Sequence, residues 1–178
     1  ALKSIPMNEY LSAMLLGIVQ GLTEFLPVSS SGHLVLFQQW LPVAGDPIAF
    51  DLALHLGTLI PVLMVYRHDL MGVVRDSTVG EGPFFQRPGV RLLLLLVAAT
   101  IPTAAIGLTF EDVFETLFKN PTAVGIAFAV TGSVLWATGR IAHGDTQADQ
   151  LSVGRAVTIG LAQGLAITPG ISRSGSTI

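Results

Sequence analysis

The chain has 178 residues, 51% of them hydrophobic and only 12% charged, with a net charge of −3. Soluble domains carry about a quarter charged residues, so this composition argues against a soluble enzyme, and the lack of a basic patch argues against a nucleic-acid partner. With no cysteine, disulfides, thiolate zinc sites and a cysteine nucleophile are excluded.

The first apolar segment, Tyr10–Val28, follows Lys3 in the manner of a signal peptide, but Glu24 interrupts it and further spans follow, so it belongs to the fold. A polar, helix-breaking insert comes next, Pro27-Val28-Ser29-Ser30-Ser31-Gly32-His33, and then Leu34–Val43, too short to cross a bilayer. A helix, a polar turn and a short return helix describe a re-entrant hairpin. Irregular backbone at membrane depth is tolerated only where it is buried in protein or lines a cavity. Ile48–Tyr66, Leu92–Leu108 and Thr122–Gly139 follow, the last two without a charge. Crossing the hydrocarbon takes roughly 20 mostly apolar residues, about 17 at the least, so these are three spans. Pro61 and Pro102 fall inside them, where neighbouring helices compensate a kink. The last apolar segment is Val153–Ile171.

The chain repeats itself. Gly17-Ile18-Val19-Gln20-Gly21-Leu22 matches Gly160-Leu161-Ala162-Gln163-Gly164-Leu165, and each run leads to a proline and a serine-rich turn. Three spans between the copies bring the second in from the opposite face, which is an inverted-topology repeat with polar sites near the midplane. The expected fold is therefore an all-α polytopic membrane protein of inverted repeats with two re-entrant helical hairpins. Residues 1–145 form the first membrane repeat, a hairpin plus three transmembrane helices; residues 146–178 begin the second with a truncated hairpin. The sequence stops at Ile178 inside a motif, and a fragment lacking its C-terminal part is expected. Between Tyr66 and Leu92 lie Arg67, Arg75, Arg87 and Arg91, whereas the loop from Phe110 to Pro121 holds Glu111, Asp112 and Glu115 against Lys119. The positive-inside rule places the first loop in the cytoplasm, so the first hairpin enters from the outer side and the second from the cytoplasmic side.

Several polar residues are costly where they stand. Gln20 and Glu24, four apart, share a helix face. A carboxylate in an apolar helix costs several kcal/mol unless paired, wet or metal-bound, so Glu24 is a candidate metal ligand or general base. Ser29, Ser30 and Ser31 can cap the return helix, and its start offers N–H groups to an anion. With His33 three residues on, Ser30 is a candidate nucleophile. Arg173, at the tip of the second hairpin, matches phosphate oxygens in a bidentate way; Ser172, Ser174, Ser176 and Thr177 add hydroxyls, and Gly170 and Gly175 admit a ligand to the backbone. The GxxxG pairs Gly17/Gly21 and Gly160/Gly164 suit close helix packing. Asp51 and His55, also four apart, either line the cavity or face the headgroups. His68, Asp69 and His143 fall in loops.

The stretch from Gln20 to His33 resembles the Glu/Gln-x-x-x-Glu motif and following serines of undecaprenyl-diphosphate phosphatases, the bacitracin-resistance family. Pro169-Gly170-Ile171-Ser172-Arg173-Ser174-Gly175-Ser176-Thr177 is similar to that family's Pro-Gly-x-Ser-Arg-Ser-x-x-Thr motif. The resemblance implies a multi-pass enzyme of the bacterial plasma membrane. It would hydrolyse undecaprenyl diphosphate with a divalent cation, Mg²⁺ or Ca²⁺, at a site open to the extracytoplasmic side. Gln20 stands where many relatives carry Glu and cannot serve as an anionic ligand. On this reading Glu24, helped by Gln20, holds the metal. Arg173 grips the diphosphate with Ser172, Ser174, Thr177, Ser29 and Ser31, and Ser30 attacks with His33 as base or acid. Attack by water activated through Glu24 or His33 is the alternative mechanism, and a transporter of prenyl phosphates or anions is the alternative function. The partners are the lipid substrate and the bilayer, and the oligomeric state is open, with a homodimer among the options.

Overall fold

The computed structural model describes residues 7–79, 82–140 and 150–177. Lys3, His143 and the boundary expected at residue 145 lie outside them. Every regular element among the described residues is helical: α1 (Met7–Thr23), α2 (Ser30–Phe37), α3 (Pro47–Val65), α4 (Arg67–Thr78), α5 (Pro88–Thr109), α6 (Glu111–Phe118), α7 (Pro121–Thr138) and α8 (Val153–Leu165), with short 3₁₀ turns at Phe84–Gln86 and Gly175–Thr177.

Among the described residues, three helices are long and apolar enough to cross a membrane: α3, α5 and α7. They are the three spans expected from hydropathy. Each opens with proline at its first position, where the missing N–H costs nothing. Asp46 caps α3 by accepting from Ile48 N at 3.0 Å, and Asn120 caps α7 by accepting from Thr122 N and Ala123 N at 3.1 and 3.2 Å. Only 6% of the apolar window of α3 or of α5 is buried, and Leu56, Ile60 and Leu63 stand exposed. A helix apolar all round, with its side chains turned outward, needs lipid as its solvent.

The chain between spans is more helical than its charge suggested. The arginine-rich connection is mostly α4, with His68 and Asp69 exposed on it, and Arg91 already lies within α5. The acidic loop is α6, whose Glu111, Asp112 and Glu115 share a face opposite Val113, Phe114 and Leu117. Short amphipathic helices keep their charges on one side, so a search for uncharged runs passes over them.

The GxxxG expectation holds for one copy only. α8 lies against α5 so closely that a Cβ on Gly160 would meet the carbonyl of Ala99, and one on Gly164 would come within 2.6 Å of Ile106. Thr103 Oγ1 seals this contact by donating to Gly160 O at 2.7 Å. Gly17 makes only an ordinary contact with Leu54, and nothing lies within 4 Å of a Cβ on Gly21. The first pair does not mediate close packing.

Candidate functional site

α1 ends at Thr23, where its hydroxyl donates back to Val19 O at 2.7 Å, and Pro27 bars continuation. The turn to α2 is held by Ser29, the one non-glycine residue with positive φ among the described residues (φ 61). That conformation costs a non-glycine residue about 1–3 kcal/mol and persists here because the Ser29 hydroxyl is fixed from two sides. It accepts from Gly32 N at 3.4 Å, capping α2, and from Gly170 N at 3.1 Å, across to the second turn.

The second turn is built the same way. Ser172 Oγ accepts from Gly175 N at 3.1 Å, and Ser172 and Ser174 share a hydroxyl contact at 3.1 Å, as Ser29 and Ser31 do at 3.4 Å. The turns touch directly. Ser174 Oγ donates to Leu26 O at 3.2 Å, and a Cβ on Gly32 would lie 2.8 Å from the Gly170 Cα. Gly170 has φ +96 and is pressed against α7, so glycine is required there. Thr131 on α7 locks the second turn by donating to Gly170 O at 2.8 Å and accepting from Ser172 N at 3.2 Å.

Where the turns meet, a cleft of about 350 Å³ opens. Glu24, Ser29, Ser30 and Ser31 line it from the first turn, and Ser172, Arg173 and Ser174 from the second. Glu24 Oε2 accepts from Ser30 Oγ at 2.5 Å and from Gln20 Nε2 at 2.9 Å, and lies 3.5 Å from His55 Nε2. Its other oxygen, Oε1, takes none of these bonds. The Arg173 guanidinium has no protein partner among the described residues, although the residue sits in the cleft. An unpaired guanidinium beside small hydroxyls and the N-terminal start of α2 is a candidate anion site.

Three expected residues do not line the cleft: His33, Thr177 and Gln20, which is buried behind Glu24. His33 does not line the cleft: its Nδ1 donates to Ser29 O at 2.9 Å and its ring packs edge-on against Phe128 at 4.9 Å. Ser30 is thus bonded to Glu24, not to His33. Thr177 donates to Ser174 O at 2.8 Å and lies on the neighbouring groove between α5 and α8, which it shares with Arg173. Asp51 and His55, for which the sequence left two options, line the cleft. Asp51 accepts from Gln38 Nε2 at 2.6 Å, tying α3 to the end of α2, and Asp51 O accepts from His55 Nδ1 at 2.8 Å. Their four-residue spacing was legible, but which way that face turns depends on the packing of α3 against α1.

Gln20 bears on the cation. It is 1% exposed, its amide nitrogen is shared between Glu24 and Thr58, and its Oε1 is buried with no partner. A buried carbonyl oxygen left unpaired is costly. An amide flip, which exchanges O and N, would turn that oxygen toward the Glu24 carboxylate and form an oxygen pair of the kind hard cations take. Among the described residues no cluster of three His, Cys, Asp or Glu could cage a metal. A cation held here would therefore draw on the single Glu24 carboxylate and the Gln20 amide rather than on a cage of protein ligands.

Fold and cleft together define a class: an all-helical membrane protein with a polar cleft, a candidate anion site, where two serine turns meet. The comparisons narrow the class. The family model described as "Bacitracin resistance protein BacA" matches residues 13–178. The chain is 45% identical to the "Undecaprenyl-diphosphatase" of Carboxydothermus hydrogenoformans over 172 residues, covering 97% of this chain and 61% of that protein. It is 43% identical to the protein of that name from Halothermothrix orenii and 46% identical to that from Rubrobacter xylanophilus, covering 96% and 97% of this chain and 62% and 65% of theirs. The chain belongs to the bacitracin resistance protein BacA family, and it spans less than two thirds of the length of these relatives.

Proposed function

We propose that the protein hydrolyses undecaprenyl diphosphate to undecaprenyl phosphate and phosphate in the bacterial plasma membrane, recycling the cell-wall lipid carrier and conferring bacitracin resistance. The observation that carries this reading is the cleft itself: Ser30, bonded to Glu24, faces the same space as the unpaired Arg173. The two serine turns are read as the tips of re-entrant hairpins of an inverted repeat, with the cleft open to the extracytoplasmic side.

Arg173 binds the diphosphate through its planar fork, and the hydroxyls of Ser31, Ser172 and Ser174 orient it. Glu24, bonded to Ser30 Oγ–H, takes that proton as the serine oxygen attacks the terminal phosphorus. The bond from that phosphorus to the bridging oxygen breaks, and undecaprenyl phosphate leaves with the electron pair. Water then cleaves the serine phosphate to free Ser30. If water attacks directly, Glu24 serves it in the same role. Glu24 and Gln20 are the residues that would hold a divalent cation, whose contribution when bound is to neutralise charge on the phosphate oxygens.

The test is phosphate release from undecaprenyl diphosphate by the full-length protein in detergent. The wild type should turn over, and Glu24→Gln should lose about 100- to 1000-fold in rate, with chelator giving a comparable loss. Translocation of the lipid with no phosphate released would contradict the phosphatase reading and favour a transporter.

A further inference from the structure

Of the three spans, α7 has the most of its apolar window buried, 17% against 6% for α3 and for α5. Its buried residues are Val124, Ala127 and Thr131. With Phe128 they fall at helical spacing on one face, and that face meets both serine turns. A Cβ on Gly170 would lie 2.7 Å from Ala127 Cβ and from Val124 O, and Leu135 continues the same stripe against Gly175. Phe128 meets the first turn. Its ring lies edge-on to His33 at 4.9 Å, and a Cβ on Gly32 would come within 2.8 Å of it.

Thr131 differs from Ser133 and Thr138 on the same helix. Those two donate back to their own helix, at Ala129 O and Leu135 O, as hydroxyls in a helix commonly do. Thr131 instead donates off its helix to Gly170 O and accepts from Ser172 N, and both Thr131 and Ser172 are buried. Ser172 precedes Arg173, so these bonds fix the backbone beside the guanidinium. The turns bond each other through the hydroxyls of Ser29 and Ser174. Hydroxyls rotate to suit their partners, so such bonds alone set no fixed spacing. A helix packed on both turns does.

We propose that this face of α7, outside both serine motifs, is a splint that sets the two turns at their working distance, with Thr131 the positioning residue for Arg173 and Phe128 the positioning residue for the turn that carries Ser30. The splint rests on the phosphatase reading and adds what aligns its two halves. Displacing a reacting group by about 1 Å can cost on the order of 100-fold in rate, so a span that touches no substrate still governs turnover.

The experiment measures kcat/KM for phosphate release from undecaprenyl diphosphate by full-length variants in detergent, well below the melting temperature of each. Thr131→Val keeps the shape but removes the partner of two buried backbone groups, and should lower kcat/KM about 10- to 100-fold. Thr131→Ser keeps the hydroxyl and should retain most of the activity. In an Arg173→Lys background, where the planar fork is already lost, Thr131→Val should cost clearly less, because residues that act through one another are non-additive. If Thr131→Val fails to fold, Phe128→Ala carries the test: it should lower kcat/KM by about tenfold or more, and Phe128→Leu should restore most of it. Wild-type turnover in Thr131→Val or in Phe128→Ala would overturn the splint and leave the phosphatase reading intact. So would an equal loss in Thr131→Ser, or losses that multiply in full with Arg173→Lys. No phosphate release by the wild type would sink the phosphatase reading itself.

Discussion

In the first serine turn the Ser29 hydroxyl accepts from Gly32 N, and the next residues on are Ser30 and His33; in the second the Ser172 hydroxyl accepts from Gly175 N, with Arg173 and Ser176 in the corresponding places. His33 Nδ1 and Ser176 Oγ even donate to equivalent carbonyls, Ser29 O at 2.9 Å and Ser172 O at 2.7 Å. The backbone plan is common and the chemistry is divided. The first copy supplies a carboxylate and a serine; where it carries Glu24 the second has Ile167, and where it carries Ser30 the second has Arg173. Their glycines divide too. Gly160 and Gly164 pack α8 onto α5, whereas Gly17 and Gly21 leave α1 free of such contact. On the proposed function, the comparison teaches that a duplicated turn can act as one asymmetric site, one copy supplying the attacking groups and the other the arginine for the anion.

The largest expected effect comes from the anion-binding half. Arg173→Ala should lower phosphate release by about 1000-fold or more, and Arg173→Lys by about 100- to 1000-fold, because a point charge does not reproduce the bidentate fork. Near-wild-type activity in the lysine variant would reduce Arg173 to a membrane-surface anchor and leave the second copy without a chemical role.

On the attacking half, Ser30→Ala should cost more than Ser31→Ala by at least about tenfold if Ser30 Oγ is the nucleophile. Both hydroxyls line the cleft, but only Ser30 is bonded to Glu24. Equal activity in the two variants would replace the covalent route with attack by water. A cap alone would cost about 1 kcal/mol of stability, which a parallel thermal melt would separate from loss of chemistry.

A smaller effect probes the contact between the copies. Gly170→Ala would place a Cβ 2.7 Å from Ala127 Cβ and from Val124 O at φ +96. Strain and overpacking should destabilise the protein by about 2 kcal/mol or more, seen as a lower melting temperature in detergent. An unchanged melt would mean that the second turn does not seat on α7 as described.

Much of this was legible in the sequence, and the physical reasons separate what was from what was not. The spans α3, α5 and α7 are long and apolar, so composition alone marks them. The serine turns announce themselves through proline, glycine and residues that are costly in an apolar setting. Helices α4 and α6 escaped because amphipathic segments look polar when averaged along the chain. The meeting of the two turns was implied by the resemblance, which set Ser29, Ser31, Ser172 and Ser174 on one diphosphate. Its means, Gly170 N on Ser29 Oγ and Thr131 bridging from α7, depends on contacts between residues far apart in sequence. The same limit explains the histidines. His33 adjoins Ser30 in sequence but faces Phe128, while His55, distant in sequence, comes to Glu24 through the packing of α3 against α1.

The most direct test of the claim that two turns make one site is a kinetic cycle on phosphate release from undecaprenyl diphosphate. It needs four full-length proteins: wild type, Ser30→Ala, Arg173→Lys and the double variant. Residues that act as a unit on one transition state lose their effects non-additively. The double variant should therefore be slower than the worse single variant by less than about tenfold. Losses that multiply in full would show that Ser30 and Arg173 act independently, and would contradict a shared site.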